Sequence, residues 1–157
     1  MSMFTLKKIF TLSLFCSAVF VPQVLAETSD GIIRIKSNHD VNTTIERLKT
    51  ALETKGMTIF KHVDHSAGAK NAGLNLRPTE LLIFGNPKVG TPLMKCSQTA
   101  ALDLPQKALA YKDASGQVWL LYNDPAYMAE RHHIKDCEKA INKVSNALAN
   151  FTKIATQ

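Results

Sequence analysis

The amino-acid sequence predicts an α+β domain: strand, helix, four strands, helix, with an antiparallel sheet and the helices packed on one of its faces. Three observations carry this expectation. Apolar residues recur at helical spacing near both ends of the chain, as Val41, Ile45, Leu48 and Leu52 and as Cys137, Ile141, Val144, Leu148 and Phe151. Thr79–Phe84 is a compact apolar run that reads as a buried strand. Gln106–Lys112 and Gln117–Tyr122 flank Asp113-Ala114-Ser115-Gly116, the best hairpin signal in the chain.

Taken in order, Ile32–Lys36 is a strand with Ile33 and Ile35 on one face. Asp40 is an N-cap for the first helix, and Lys55 with Gly56 marks its stop. Met57–Val63 is the second strand. Ser66–Ala72 forms one or two helical turns ending at Gly73. After the third strand, residues 85–105 form a long connection with three prolines. In it Thr91-Pro92 predicts a cap and a first-turn proline for a short helix over Pro92–Ser97. Asp124-Pro125 opens another short helix to about His132, and the last helix runs from about Lys135 to Phe151.

The N-terminus reads as a signal peptide over residues 1–26. Lys7 and Lys8 precede an uncharged, mostly apolar stretch over Ile9–Val21, and Val24-Leu25-Ala26 fits a signal-peptidase site. That stretch is shorter than the about 20 apolar residues a membrane span needs. The expected mature chain, 27–157, is one domain, exported to the periplasm or secreted, with no stable membrane anchor after cleavage. The whole chain carries +6; without Lys7 and Lys8, 17 basic residues face 13 acidic ones, or +4. These charges are interspersed and do not form the basic stripe that nucleic-acid binding needs. Cys16 leaves with the signal. Cys96 and Cys137 remain, an even pair that in an oxidising compartment is a candidate disulfide; two buried free thiols are the alternative.

No motif assigns a reaction. Gly85-Asn86-Pro87-Lys88-Val89-Gly90-Thr91 has the glycine spacing of a phosphate loop, but Thr91-Pro92 stands where such a loop needs Lys and Ser or Thr. No nucleophile signature appears, so no catalytic residue is assigned. His62 and His65 face opposite sides of a strand, and the histidine spacing matches no metal signature. No metal ligand and no cofactor is assigned. Glu80, at a strand start, is expected in solvent. Asp103, between Leu102 and Leu104, needs a partner such as Lys107 or an arginine, for a structural hydrogen bond.

These segments resemble the domain-of-unknown-function 302 family. The resemblance is carried by Asp64-His65, by Gly73-Leu74 with Leu76-Arg77-Pro78-Thr79-Glu80-Leu81-Leu82-Ile83-Phe84-Gly85-Asn86-Pro87, and by Gly90-Thr91-Pro92-Leu93-Met94. It continues through Leu102-Asp103-Leu104-Pro105 with Lys107, Tyr122-Asn123-Asp124-Pro125 and Arg131-His132. It implies a fold similar to that of the TATA-box-binding protein, and a homodimer. It implies no activity, and Cys96 and Cys137 lie outside its pattern.

Three functions compete, and the enzyme question stays open. The first is an exported binding or sensing module for a small polar or anionic ligand. Its candidate site is Asp64, His65, Asn86, Asn123, Arg131 and His132, which converge only if the strand ends that carry them share one edge. The second is a dimeric structural or interaction protein. The third is a metal-assisted enzyme using Asp64, His65 and His132. Against the first stands a plainer reading: the asparagines serve turns, His65 caps a helix, and Arg131 pairs with Asp64 or Asp103.

Overall fold

All five expected strands form in the computed structural model, which describes residues 30–157. Residues 1–26, with the expected signal peptide, lie outside the described residues. The strands are β1 (Ile32–Ser37), β2 (Thr58–Asp64), β3 (Thr79–Gly85), β4 (Gln106–Lys112) and β5 (Val118–Asn123). The helices are α1 (Val41–Thr54), α2 (His65–Asn71), α3 (Pro87–Cys96), α4 (Pro125–Arg131) and α5 (Glu138–Thr156), with a 3₁₀ turn over Gln98–Leu102 before β4. The sheet order is β1-β5-β4-β3-β2, with every neighbouring pair antiparallel. The fold is α+β, as the sequence predicts.

Strand alternation decides which face is covered. Leu82 and Phe84 on β3, Ala108 and Ala110 on β4, and Leu120 and Tyr122 on β5 point to one side and are buried. Against them lie Ile45, Leu48 and Leu52 of α1 and Val144, Leu148 and Phe151 of α5. Each fully buried side chain of this size contributes roughly 1.5–3 kcal/mol. The opposite face carries Leu81, Ile83, Leu109, Leu121 and Trp119, none of which belongs to the core.

α1 begins where Asp40 accepts the Thr43 amide at 2.7 Å. Its polar contacts also fix its place: Ser37 and Thr44 share a buried hydroxyl bond of 2.7 Å, and Arg47 donates to the Ile154 carbonyl of α5 at 2.8 Å. α5 starts later and ends later than expected. Cys137 is its N-cap residue and does not sit on its stripe, while Thr152, Ala155 and Thr156 extend the buried face beyond Phe151. The two threonine hydroxyls are satisfied by the helix itself, donating to the Leu148 and Thr152 carbonyls at 2.8 Å each, so they are buried at little cost.

α3 departs most from expectation. It starts at Pro87, with Asn86 as its cap accepting the Lys88 amide at 2.8 Å. Pro92 therefore lies inside the helix, and the rung back to the Lys88 carbonyl is missing. Asn86-Pro87 is as good a start signal as Thr91-Pro92, and the earlier one nucleates the helix. Glu80 is likewise not in solvent: it is 7% exposed, because it stands on the covered face, and His62 Nε2 meets its carboxylate at 2.8 Å.

The β4–β5 hairpin is held by one side chain. Asp113 Oδ1 accepts from the Ser115 amide at 2.8 Å, the Ser115 hydroxyl at 2.7 Å and the Gln117 amide at 3.0 Å. Its Oδ2 accepts from Trp119 Nε1 at 2.8 Å. The Ser115 and Trp119 bonds, with the two amides, hold the Asp113 carboxyl down at about 2, from an ordinary value of 3.8. A depressed carboxylate contributes stability in full above its unfolded value and loses it as pH falls through the folded one. We therefore expect the fluorescence of Trp119, the single tryptophan, to show an acid transition near pH 2. Asp113→Asn should remove that transition and lower the melting temperature at neutral pH. An unchanged acid titration in the variant would show that the indole does not report on this carboxylate.

Candidate functional site

Antiparallel pairing gives the sheet two ends. At one end lie the starts of β2 and β4 and the close of β3 and β5; at the other lie the hairpin and the close of β2. The first end holds a cavity of about 310 Å³, at the small end of the range of about 300–1,000 Å³ for small-molecule sites. Its floor includes Leu93 and Val144 from the core, and its walls include Met57, Phe60, Met94 and Leu104. Among the described residues, no charged one lines it.

Local sequence explains the walls. Lys61, not Phe60, pairs with Ile83, so Phe60 sits in a β-bulge and its ring lies across Gly85. A Cβ on Gly85 would stand 3.1 Å from that ring, which is why a side chain there would push the wall outward. Asn86 ties two segments together: its amide nitrogen donates to the Gly56 carbonyl at 2.8 Å while its oxygen caps α3. The remaining wall, Ala101 with Leu104 and Pro105, ends in a cis Leu104–Pro105 peptide.

That wall is anchored by Asp103. His132 Nε2 meets its carboxylate at 2.6 Å, and Arg131 Nη1 reaches both oxygens at 3.2 and 3.4 Å. Lys107 Nζ donates to the Asp103 carbonyl at 3.0 Å. The other ring nitrogen of His132, Nδ1, meets Thr99 Oγ1 at 3.1 Å, and that hydroxyl also meets Ser97 Oγ at 2.9 Å. A hydroxyl, an imidazole and a carboxylate in series are the parts of a nucleophilic relay. Here the carboxylate is shared with Arg131, and neither Thr99 nor His132 lines the cavity. The arrangement is a clamp between the end of α4 and the segment before β4. The partner expected for Asp103 is thus supplied by Arg131 and His132, with Lys107 on its backbone oxygen.

The six candidate site residues do not come together. Asn86, Asn123, Arg131 and His132 lie at the cavity end, and Asp64 and His65 lie at the other, about 20 Å away along a seven-residue strand. The convergence considered from the sequence fails because β2 and β3 run antiparallel, so the close of one faces the start of the other. Asp64 caps α2, accepting the Ala67 amide at 2.8 Å and the Ser66 hydroxyl at 2.6 Å. Those bonds, the Ser66 hydroxyl first, hold its carboxyl below the usual range. His65 is the exposed first residue of α2. Asn123 is exposed at the close of β5, opposite Ile32. The metal-assisted constellation of Asp64, His65 and His132 is therefore not assembled. Of the six, only Asn86 lines the cavity, and through contacts already satisfied.

Sequence reasoning missed Gln106. It opens β4 on the covered side, opposite Phe84, is 8% exposed and lines the cavity. A polar residue at a core-facing strand position was the available signal. Cys96 and Cys137 lie side by side, their Cα atoms 6.6 Å apart, within the separation a disulfide spans.

Comparison with known proteins agrees with this architecture. The chain is 46% identical over 135 residues to "Fluoride-specific ion channel FluC 1" of Brucella suis biovar 1, covering 85% of this chain and 53% of that protein. It has the same identity over the same length to "Fluoride-specific ion channel FluC 2" of Brucella melitensis biotype 1, covering 50% of it. The chain thus spans about half the length of the curated relatives it matches. Among solved structures, the fold is similar to that of an uncharacterised conserved DUF302 protein from Bacillus stearothermophilus, with a TM-score of 0.72 at 17% identity, over 81% of this chain and 99% of that one. Residues 33–151, which include every element from β1 through most of α5, match the family described as Domain of unknown function DUF302, and the chain belongs to that family.

Proposed function

We propose that this chain is a binding module for a small, mostly apolar molecule, held in the cavity between α3, the close of β3 and the start of β4. One observation carries this: the cavity is walled by the Gly85-Asn86-Pro87, Gly90-Thr91 and Leu104-Pro105 segments, the stretches through which the chain resembles its family. Of the candidate residues at the cavity end, Asn86, Arg131 and His132 are already engaged. Asp103, Arg131 and His132 hold one another, and Asn86 bonds to backbone on both sides. A charged ligand would meet no counter-charge in the lining, and burying it there is costly. That favours a neutral ligand over the polar or anionic one expected from the sequence, and it disfavours fluoride as the occupant. No helix among the described residues is long and apolar enough to cross a membrane. In the FluC relatives we assign ion conduction to the part this chain does not cover.

The location we propose is outside the cytoplasm, on the strength of the signal pattern in residues 1–26 and the adjacent cysteines. A homodimer is the second reading, favoured by the outer sheet face: Leu81, Ile83, Leu109 and Leu121 form an apolar strip flanked by Arg34, Lys36, Lys61 and Lys107. An apolar strip of this kind marks an interaction surface.

Each reading has a test. Gly90 lies inside α3, where an added Cβ meets Leu104 at an ordinary 3.7 Å. Gly90→Leu should keep the fold and fill the cavity, abolishing the thermal shift given by any neutral compound that stabilises the wild type. A ligand at a hundred times its Kd adds about 2.7 kcal/mol, enough to read. His132→Ala should do the reverse: lose about 1–3 kcal/mol of stability by leaving Asp103 underpaired, yet still bind. If Gly90→Leu binds as well as wild type, the ligand lies elsewhere.

Intact-mass analysis of protein from its native host should give a chain beginning at Glu27 with both cysteines oxidised. The Cys96–Cys137 bond closes a loop of 41 residues and is worth about 4 kcal/mol by loop entropy. A chain beginning at Met1 with three alkylatable thiols, Cys16 among them, would refute both export and the bond. Light scattering should report a dimer, and Leu109→Lys should yield folded monomers.

A further inference from the structure

We infer that Gln106 is the specificity-determining anchor of the cavity, and that its ligand is a neutral molecule with an apolar body and one hydrogen-bonding edge of carboxamide or lactam type. The inference rests on the cavity being a ligand site and names what that site selects. Gln106 is 8% exposed, yet no hydrogen bond reaches its side-chain amide from any described residue. Buried polar side chains almost always have a partner, from protein or ordered water, and a core-facing strand position next to Phe84 would hold an apolar residue equally well. The amide is not sealed in, since its polar atoms are not among the occluded, unpartnered ones, and Gln106 is one of the residues that line the cavity. It is therefore a donor and an acceptor presented side by side in a mostly apolar lining that includes Met57, Phe60, Leu93, Met94 and Leu104, with Thr91 and the capping Asn86 as its other polar side chains.

A primary amide pairs with a group that accepts and donates along one edge. A carboxamide or lactam does so without charge. A carboxylate accepts from the amide nitrogen but places a charge in a lining with no cation, and a hydrocarbon leaves the amide unpaired. A site built around a polar group discriminates strongly against an analogue that cannot bond to it.

The test uses three probes of one shape: cyclohexanecarboxamide, cyclohexanecarboxylate and methylcyclohexane. Each is titrated into the full chain while the methyl resonances of Met57 and Met94 are followed. The wild type should bind the carboxamide about tenfold more tightly than either of the others, the difference one hydrogen bond makes. Gln106→Met, close in length and shape, should lose that preference, bind methylcyclohexane at least as well as wild type, and melt no lower. Equal affinity of the wild type for carboxamide and methylcyclohexane, or a retained preference in Gln106→Met, overturns the anchor while leaving the cavity a binding site. A lower melting temperature in Gln106→Met assigns Gln106 a structural role and overturns the anchor as well. If none of the three probes moves the Met57 or Met94 resonances, the binding-module reading falls with it.

Discussion

Because β1 and β2 occupy opposite edges of the sheet, the connection between them has to cross beneath all five strands. α1 makes that crossing, and its stripe of Val41, Ile45, Leu48 and Leu52 is buried along its length. α5 returns beside it, joined by the Arg47 bond to Ile154 and by the Asn38 amide to the Thr156 carbonyl at 3.0 Å. Two helices on one face make a core and leave the other face of the sheet bare. The short helices and long connections are then left to the sheet ends, where backbone can reach solvent.

The cavity follows from that arrangement. α3 and the 3₁₀ turn fill the gap between the close of β3 and the start of β4, and they do so incompletely. What keeps the gap from collapsing is a rigid rim. Asn86 fixes the α3 side to the turn before β2, and Asp103 fixes the β4 side to α4 through Arg131 and His132. The charged groups at this end therefore lie in the rim, and the lining is left to mostly apolar residues with Gln106 and Thr91 among them. A rigid rim around an apolar hollow is the arrangement that favours binding by preorganisation over binding by charge.

Several residues show how far local reasoning reached. The capping role of Asp40, and the turn role of Asp113, depend on amides two to four residues away, which is why neighbouring sequence reveals such roles; the cap of α2 is Asp64 and not the His65 that the sequence suggests. Asp103 was marked by its apolar neighbours as needing a partner, but Arg131 and His132 lie 28 and 29 positions further on. Glu80 was misplaced into solvent because its burial is set by the phase of β3 against the covering helices, and its partner His62 sits on the next strand. Cys137 reads as part of the α5 stripe in a helix from about Lys135, but α5 begins at Glu138 and Cys137 is its N-cap residue.

The sequence by itself determined the element order, the two helical stripes, the hairpin and the α+β class, since each rests on periodicity or on hydrogen bonds between near neighbours. Strand order, and with it the distribution of residues between the two sheet ends, was decided only in three dimensions. Antiparallel pairing put Asp64 and His65 at one end and Asn86, Asn123, Arg131 and His132 at the other, and no local pattern encodes that separation. The same holds for the site. A glutamine at the first position of a strand reads as ordinary until packing shows that Gln106 faces the covered side and lines the cavity, with no hydrogen bond to its amide from any described residue.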